Sequence, residues 1–296
     1  MQGKTRELAA RGLGLAAISY DSPETLAAFS RRYDITFPLL SDFNSDTIKT
    51  YGILNTIAYE ALAGPRDPAL RDAALKDDFK KYVSSVSPNS ANLIKGTPFP
   101  GTFVVDRRGR VTARFFEDFY RERDTASAIL LSLGTGTPPV VAAQVSTPHV
   151  EITTYSSDSA VAPGNRFALA VAVTPARGEH VYAQGASGYK VVTLTIDPQP
   201  YVRVLPVRYP ASEIYYFKPL KERVPVYQRP FTIIQDMLVE VSVEAESSLA
   251  KQKELRISGT LEYQSCNDRE CFNPVSMPLS WILKLEPNIT ERIPRR

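Results

Sequence analysis

Cysteine, histidine and tryptophan are scarce in this sequence, which holds two, two and one of them in 296 residues. A zinc site needs four ligands, and neither histidine (His149, His180) lies near the cysteines in sequence, so we expect no metal site, and no other cofactor. The net charge of +3 is too small to indicate a nucleic acid or an anionic membrane as a partner. No apolar run approaches the roughly 20 residues of a membrane-spanning helix, and the N-terminal residues do not read as a signal peptide, because no apolar stretch follows the basic residues.

The two cysteines that are present, Cys266 and Cys271, are separated by four polar residues between the strand-like segments 255–263 and 277–285. This arrangement suits a hairpin loop, which would bring the two Cα atoms within roughly 5–6 Å, the separation of a disulfide. Closing so short a loop contributes only about 2 kcal/mol, and a chain of this length builds a sizeable core without it. The spacing therefore leaves a structural and a redox-active disulfide both open.

The first 133 residues alternate strand-like and helix-like segments, which predicts an α/β domain over residues 1–133. We predict a strand over 12–19, a helix starting at Asp21–Glu24, a short helix after Asp42, strands 102–105 and 111–116 around a turn at Asp106–Gly109, and a closing helix over 124–133 capped by Asp124. The Gly-, Thr- and Pro-rich stretch 134–147 is predicted to be a linker.

Beyond residue 148 the helix signals stop and strand-like segments alternate with Pro and Gly. The segments are 167–173, 191–196, 232–243, 255–263 and 279–285. This pattern predicts an all-β sandwich over residues 148–287, followed by a tail over 288–296.

Four ordered blocks of the first half, residues 12–21, 35–42, 51–53 and 98–106, resemble the alkyl hydroperoxide reductase/thiol-specific antioxidant (redoxin) branch of the thioredoxin fold. The resemblance implies a thioredoxin-like α/β domain. It also implies a cis-proline before the later hairpin strand, and Pro100 is the candidate because Gly-Thr-Phe follows it.

The second half resembles the N-terminal domain of DsbD, the membrane thiol–disulfide transporter, in His180-Val-Tyr-Ala183, Val226-Tyr227 and the stretch from Leu261 to Pro274. The resemblance implies an immunoglobulin-like sandwich in which Cys266 and Cys271 are the redox pair. It makes Tyr182, Tyr263 and Phe272 candidate aromatic neighbours of that pair, and the segment around Phe217–Leu220 a candidate shielding loop. His180 is read as a structural residue near a turn.

Redoxin-family enzymes carry their reactive cysteine after the first core strand, but no cysteine precedes Cys266 here, so we do not expect peroxidase activity from this chain. The missing strand of the fold would lie between the segments 13–19 and 102–105. We therefore expect an N-terminally truncated form of a longer protein that is periplasmic or otherwise exported.

The leading prediction is a thiol–disulfide oxidoreductase that relays electrons through Cys266 and Cys271 to redox partner proteins with dithiol or disulfide sites. In a longer parent it would support the reduction of peroxide or disulfides. The alternative is a non-catalytic envelope binding module with a structural disulfide and a degenerate thioredoxin-like domain.

Overall fold

The computed structural model describes residues 2–55, 98–116, 122–134, 140–217 and 221–287. The chain divides into a first unit, Met1–Tyr120, and a second unit, Arg121–Thr290. The predicted tail, residues 288–296, and most of the segment 55–95 lie outside the described residues.

The described part of the first unit contains three α-helices and four strands in two separate two-stranded sheets. The elements are a 3-10 helix (Gln2–Lys4), α1 (Thr5–Ala10), β1 (Ala17–Ser19), α2 (Pro23–Arg32), β2 (Leu39–Ser41), α3 (Asp46–Thr50), β3 (Gly101–Val105) and β4 (Val111–Phe116). Strand β1 pairs in parallel with β2, and β3 pairs antiparallel with β4.

Helix α2 begins where the sequence predicts, because Ser22 Oγ accepts a hydrogen bond from the backbone N–H of Thr25 and Pro23 occupies the first turn. The strand predicted over 12–19 is shorter, covering Ala17–Ser19 alone. Its first residues instead close helix α1: Gly12, at a φ of 72°, donates its N–H to Ala9 O, and Leu13 donates to Leu8 O.

The predicted hairpin of β3 and β4 is confirmed. Asp106 Oδ1 accepts hydrogen bonds from the N–H groups of Arg108 (2.8 Å) and Arg110 (2.9 Å), and Gly109 supplies the positive φ of 78° that the turn requires. The expectation of a cis peptide bond before Pro100 is wrong. No cis peptide bond occurs among the described residues, so the Phe99–Pro100 bond is trans, the isomer that X–Pro bonds favour.

The described part of the second unit is a β-sandwich with two short helices. Its elements are β5 (Arg123–Asp124), α4 (Ala126–Ser132), β6 (Val140–Ser146), β7 (Val150–Ser156), β8 (Ala160–Val161), β9 (Asn165–Pro175), β10 (His180–Tyr182), β11 (Thr193–Ile196), β12 (Val202–Arg208), β13 (Glu213–Phe217), β14 (Glu222–Tyr227), β15 (Phe231–Val239), α5 (Val243–Leu249), β16 (Glu254–Tyr263), β17 (Ser265–Cys266) and β18 (Val275–Leu285).

The described strands of this unit form three sheets. The largest has the order β12-β15-β9-β7-β6, with β5 added in parallel to β9. The second has the order β11-β16-β18-β8, and the third, which carries the cysteines, has the order β13-β14-β10-β17. Buried and exposed residues alternate along strands such as β16 and β18, and one face of each sheet contributes to a common apolar core.

One glycine of β16 and the single tryptophan show how closely this core is packed. A Cβ atom on Gly259 would lie 2.5 Å from the carbonyl oxygen of Thr195, so only glycine allows β11 and β16 to approach as they do. Trp281 is fully buried, and its indole N–H donates to Tyr155 O at 3.1 Å.

The segment 123–132 lies in the second unit, whereas its sequence pattern placed it at the end of the first domain. Strand β5 pairs with β9, and Glu122, which is buried, accepts hydrogen bonds from Arg166 and Arg203, each at 2.7 Å. Helix α4 is capped by Thr125, whose Oγ1 accepts from the N–H of Ala128, and not by Asp124 as predicted, because Asp124 is already paired in β5.

Part of the predicted linker, Val140–Ser146, forms strand β6 along β7. The end of the predicted strand 232–243 also differs, because β15 stops at Val239 and Ser242 caps helix α5 by accepting from the N–H of Ala245. The first difference arises from a ladder partner, β7, that the local pattern does not contain. The second arises from a local cap, Ser242, that the strand prediction overlooked.

Candidate functional site

The two cysteines form a disulfide across a tight hairpin, as the spacing predicts. Their Cα atoms lie 4.1 Å apart, closer than expected, and the two residues form an isolated antiparallel bridge. The turn between them is closed by Asn267, whose Oδ1 accepts from the N–H groups of Arg269 (2.8 Å) and Glu270 (2.9 Å). Phe272 N–H then donates to Ser265 O at 3.0 Å and continues the pairing beyond the disulfide.

The two sulfur-bearing residues differ in access to solvent. Cys266, in β17, is 1% exposed, whereas Cys271 belongs to the exposed residues. The residue at one end of the disulfide is therefore exposed to solvent, whereas the residue at the other end is buried. The sequence alone does not reveal this asymmetry.

Strand β10 brings Tyr182, a predicted neighbour, to the exposed cysteine. It pairs antiparallel with both β14 and β17, and the Tyr182 hydroxyl lies 3.3 Å from Cys271 Sγ, within hydrogen-bond distance. Burial of this tyrosine raises its pKa, with a smaller contribution from the neighbouring Tyr189, so the phenol keeps its proton at any physiological pH.

The face that carries Tyr182 is lined by further aromatic residues. The ring of Tyr189 stacks on Tyr182 at 4.0 Å between centroids, and its hydroxyl donates to Glu222 at 2.8 Å. Tyr182, Val224, Val226 and Cys266 form a small apolar cluster that is distinct from the main core. One end of the disulfide is thus held in an apolar, aromatic environment.

The hairpin of β13 and β14 covers this face through Tyr215. Its ring lies 4.6 Å from that of His180, and its hydroxyl donates to Asp268 in the turn between the cysteines. This hydrogen bond, with a contribution from desolvation, raises the pKa of Tyr215 to about 12. Of the candidate shielding loop around Phe217–Leu220, only Phe217, the last residue of β13, belongs to the described residues.

His180 belongs to the site, although its sequence indicated only a structural residue. Its cross-strand partner is Cys266, it is 3% exposed, and its ring contacts Tyr182 edge-on at 5.3 Å. Burial lowers the pKa of its imidazole, an effect opposed by the charges of Asp268 and Glu179. The signal in the sequence was the His-Val-Tyr alternation, which places residues 180 and 182 on one face of a strand.

Phe272, the third predicted neighbour together with Tyr182 and Tyr263, anchors the outer limb of the hairpin. Its ring stacks on His149 at 3.7 Å between centroids. His149 Nδ1 lies 3.1 Å from both carboxylate oxygens of Glu179, and Ser265 Oγ donates to the same carboxylate at 2.9 Å. Of the two residues that flank the disulfide, Ser265 therefore contacts Glu179 directly, and Phe272 packs on the histidine that contacts Glu179.

Tyr263 is not brought to the disulfide. It is 1% exposed and lies in the main core with Leu261 and Trp281, where burial raises its pKa. The sequence reasoning missed His149, Tyr189 and Tyr215, whose proximity to the cysteines depends on strand pairings between distant parts of the chain.

Two family models match the chain. Residues 1–114 match the AhpC/TSA family, and residues 152–277 match the family described as Thiol:disulfide interchange protein DsbD, N-terminal. No curated protein matches the chain. None of the described helices has the length and apolar composition needed to cross a membrane.

Among solved structures, the chain is similar to the N-terminal periplasmic domain of ScsB from Proteus mirabilis, at 12% identity and a TM-score of 0.34, covering 47% of this chain and 50% of that chain. It thus spans half the length of that ScsB structure. It is also similar to the Neisseria meningitidis DsbD N-terminal domain in the reduced form, at 16% identity and a TM-score of 0.27, covering 39% of this chain and 81% of that chain.

The two family matches and the bonded cysteine pair together support thiol–disulfide chemistry in general. The predicted fold classes agree with the matched families, and the strand-rich second unit agrees with an immunoglobulin-like domain. In this chain a segment that matches the AhpC/TSA family is followed by a strand-rich segment that matches the DsbD N-terminal family, and the second of these carries both cysteines.

Proposed function

We propose that this protein relays electrons between redox partner proteins through reversible opening of the Cys266–Cys271 disulfide. The observation that carries the proposal is the asymmetry of the pair: Cys271 is exposed and Cys266 is buried. A disulfide that serves only to hold a fold gains nothing from an accessible sulfur. An exchange site needs one accessible sulfur for the partner and one protected sulfur to leave and return.

In the proposed reaction, a thiolate of the partner attacks Cys271 Sγ and forms a mixed disulfide, and Cys266 leaves as the thiolate. A second thiol of the partner then attacks the partner's sulfur in the mixed disulfide and releases Cys271. The partner is left with a disulfide, and two electrons have passed to the Cys266–Cys271 pair. The reduced pair passes them on by the reverse sequence, in which Cys271 attacks the disulfide of the next partner and Cys266 resolves the intermediate.

The Tyr182 hydroxyl supports this order of events, because it lies within hydrogen-bond distance of Cys271 Sγ and keeps its proton. A hydrogen-bond donor at this position stabilises a thiolate on Cys271, the form that attacks the next partner. The hairpin of β13 and β14 would limit access until a partner displaces Tyr215.

The chemistry we propose belongs to the second unit, because the sequence has no cysteine before Cys266. We place the protein in an oxidising compartment outside the cytosol, such as the periplasm, where a disulfide persists. Its partners would be proteins that carry dithiol or disulfide sites.

The experiment that tests the proposal is the reduction potential of the pair in the full chain, measured by equilibration in thiol buffers. We expect a value between roughly −150 and −270 mV, the range of known exchange proteins. A value below about −300 mV, with loss of the fold on reduction, would instead identify a structural disulfide and favour a binding module.

Single-cysteine variants test the assigned order. In Cys266→Ser the remaining thiol is exposed and should react rapidly with an aromatic disulfide reagent, whereas in Cys271→Ser the remaining thiol is buried and should react much more slowly. Equal reaction rates, with both variants folded, would contradict the assignment of Cys271 as the attacked sulfur.

A further inference from the structure

The buried sulfur of the pair lies opposite a histidine. His180 and Cys266 are directly paired residues of the antiparallel strands β10 and β17, so their side chains share one face of the sheet. Directly opposed residues have Cβ atoms about 4.5–5.5 Å apart, a separation across which an imidazole nitrogen and a thiol can meet. The same face carries Tyr182, whose ring meets the imidazole edge-on.

Solvent does not reach this pair of side chains. His180 is 3% exposed and Cys266 is 1% exposed, and the ring of Tyr215 lies over the imidazole at 4.6 Å. When the disulfide opens, Cys266 leaves as a thiolate in an apolar cluster, where an uncompensated charge is costly. A proton source beside the sulfur removes that cost, and bulk water is not available as the source.

We propose that His180 exchanges a proton with Cys266 each time the disulfide opens or closes, an inference that rests on the proposed function. On opening, the bond between the partner sulfur and Cys271 Sγ forms, the bond between Sγ of Cys271 and Sγ of Cys266 breaks, and the electron pair stays on Cys266. The imidazolium form of His180 then gives its proton to Cys266, and the imidazole stays neutral until the disulfide closes. On closing, neutral imidazole takes the thiol proton, so that the Cys266 thiolate attacks Cys271 and releases the partner as a thiolate.

The carboxylates near His180 are engaged by other partners, so the imidazole is the group that exchanges the proton. Asp268, on the turn, is held by Tyr215, and Glu179, which precedes β10, is held by His149 and Ser265. On β13, Glu213 contacts Arg229 and the N–H of Gln228.

The phenols on the same face are no alternative. Tyr182 and Tyr215 have raised pKa values and keep their protons, so neither accepts one at neutral pH. The imidazole has a pKa lowered by burial, which makes its neutral form the acceptor that the closing reaction needs.

The test is the pH profile of reduction by dithiothreitol in the full chain, with each rate divided by the concentration of dithiothreitol thiolate. In the wild type we expect this normalised rate to rise as the pH falls and the imidazolium forms. In His180→Gln the profile should become flat, and the rate at acid pH should fall about tenfold. This is less than the hundredfold or more that is typical of general acid catalysis, because water can enter beside the smaller side chain and supply the proton. The control is Tyr216→Phe, at an exposed residue of β13 on the face away from His180, and this variant should keep the wild-type profile.

A second measurement does not require a His180 variant to fold. In the His149→Gln protein, the single remaining histidine gives one set of imidazole resonances, and its titration can be followed in the oxidised and the reduced state. We expect the midpoint to differ between the two states, because a titrating thiol replaces the disulfide beside the ring. An identical midpoint in both states, or a His180→Gln profile that matches the wild type, would overturn the role of His180.

These outcomes are distinct from failure of the proposed function. If the potential of the pair lies in the exchange range but the profile and the midpoint do not change, only the proton transfer by His180 is wrong. If the potential lies below that range and reduction unfolds the protein, the exchange function fails, and the role of His180 with it.

Discussion

Removing one hydroxyl from the hairpin that covers the disulfide should make the disulfide react faster. The hydroxyl of Tyr215 donates to Asp268 on the turn between the cysteines. Among the described residues, this hydrogen bond links β13 directly to that turn. Tyr215→Phe removes the bond but keeps the ring that packs on His180. The change therefore loosens the cover without removing its apolar contact.

The size of the effect follows from the strength of that bond. A hydrogen bond to a charged acceptor contributes about 1.5–3 kcal/mol, and because the tyrosine is partly exposed and Asp268 is exposed, we reduce this to about 1 kcal/mol. If the hairpin must open before a thiolate reaches the disulfide, the open fraction should rise about fivefold, since 1.4 kcal/mol corresponds to tenfold.

The assay is the rate of disulfide reduction by dithiothreitol in the full chain, with Tyr216→Phe as the control. Tyr216 is the next residue on β13, points to the opposite face and is 48% exposed, so its variant should react at the wild-type rate. The difference should persist to about pH 10, because the pKa of Tyr215 is raised to about 12 and its hydroxyl still donates. A Tyr215→Phe rate equal to the wild type, or slower, would refute the idea that this bond holds the hairpin closed.

Three further predictions concern stability, all measured by urea unfolding followed by the fluorescence of the single, buried tryptophan of the second unit. Glu122→Gln should lower the free energy of unfolding by about 2 kcal/mol, because a buried carboxylate that accepts from two arginines loses its charge; an unchanged midpoint would contradict this. The wild type should lose more stability than His180→Gln as the pH falls below about 6.5, because the lowered pKa of the buried imidazole means that the unfolded chain binds the proton more readily; parallel pH curves would refute the argument. Replacing both Cys266 and Cys271 by alanine should cost about 2 kcal/mol and leave the sandwich folded; an unfolded variant would contradict this.

The features that the sequence predicts correctly are local. The disulfide hairpin depends on four residues between two strands, and the turn at Asp106–Gly109 depends on one aspartate and one glycine whose contacts lie within a few residues. Helix α2 likewise begins at a cap and a proline that are adjacent in the chain. Each of these is decided by backbone geometry over fewer than ten residues, which is the range that a sequence pattern contains.

The features that the sequence misses depend on distant partners. Strand β5 belongs to the second unit only because it pairs with β9, and the apolar stretch Val140–Ser146 is a strand only because β7 lies beside it. His180 is part of the site because the three-residue strand β10 lies between β14 and β17. A histidine-valine-tyrosine alternation shows which side chains share a face, but it does not show what lies opposite that face.

The position of the disulfide relative to the core bears on whether it serves as a staple. The main core of the sandwich contains neither cysteine, and Cys266 packs instead with Tyr182, Val224 and Val226 in the small cluster beside it. The closed loop is short and contributes about 2 kcal/mol, which is small against the 5–15 kcal/mol that stabilise a typical domain. We therefore expect the main core to stay buried when the bond breaks. If the double alanine variant stays folded, the disulfide can open and close repeatedly without unfolding the domain, which is the property that the proposed electron relay requires.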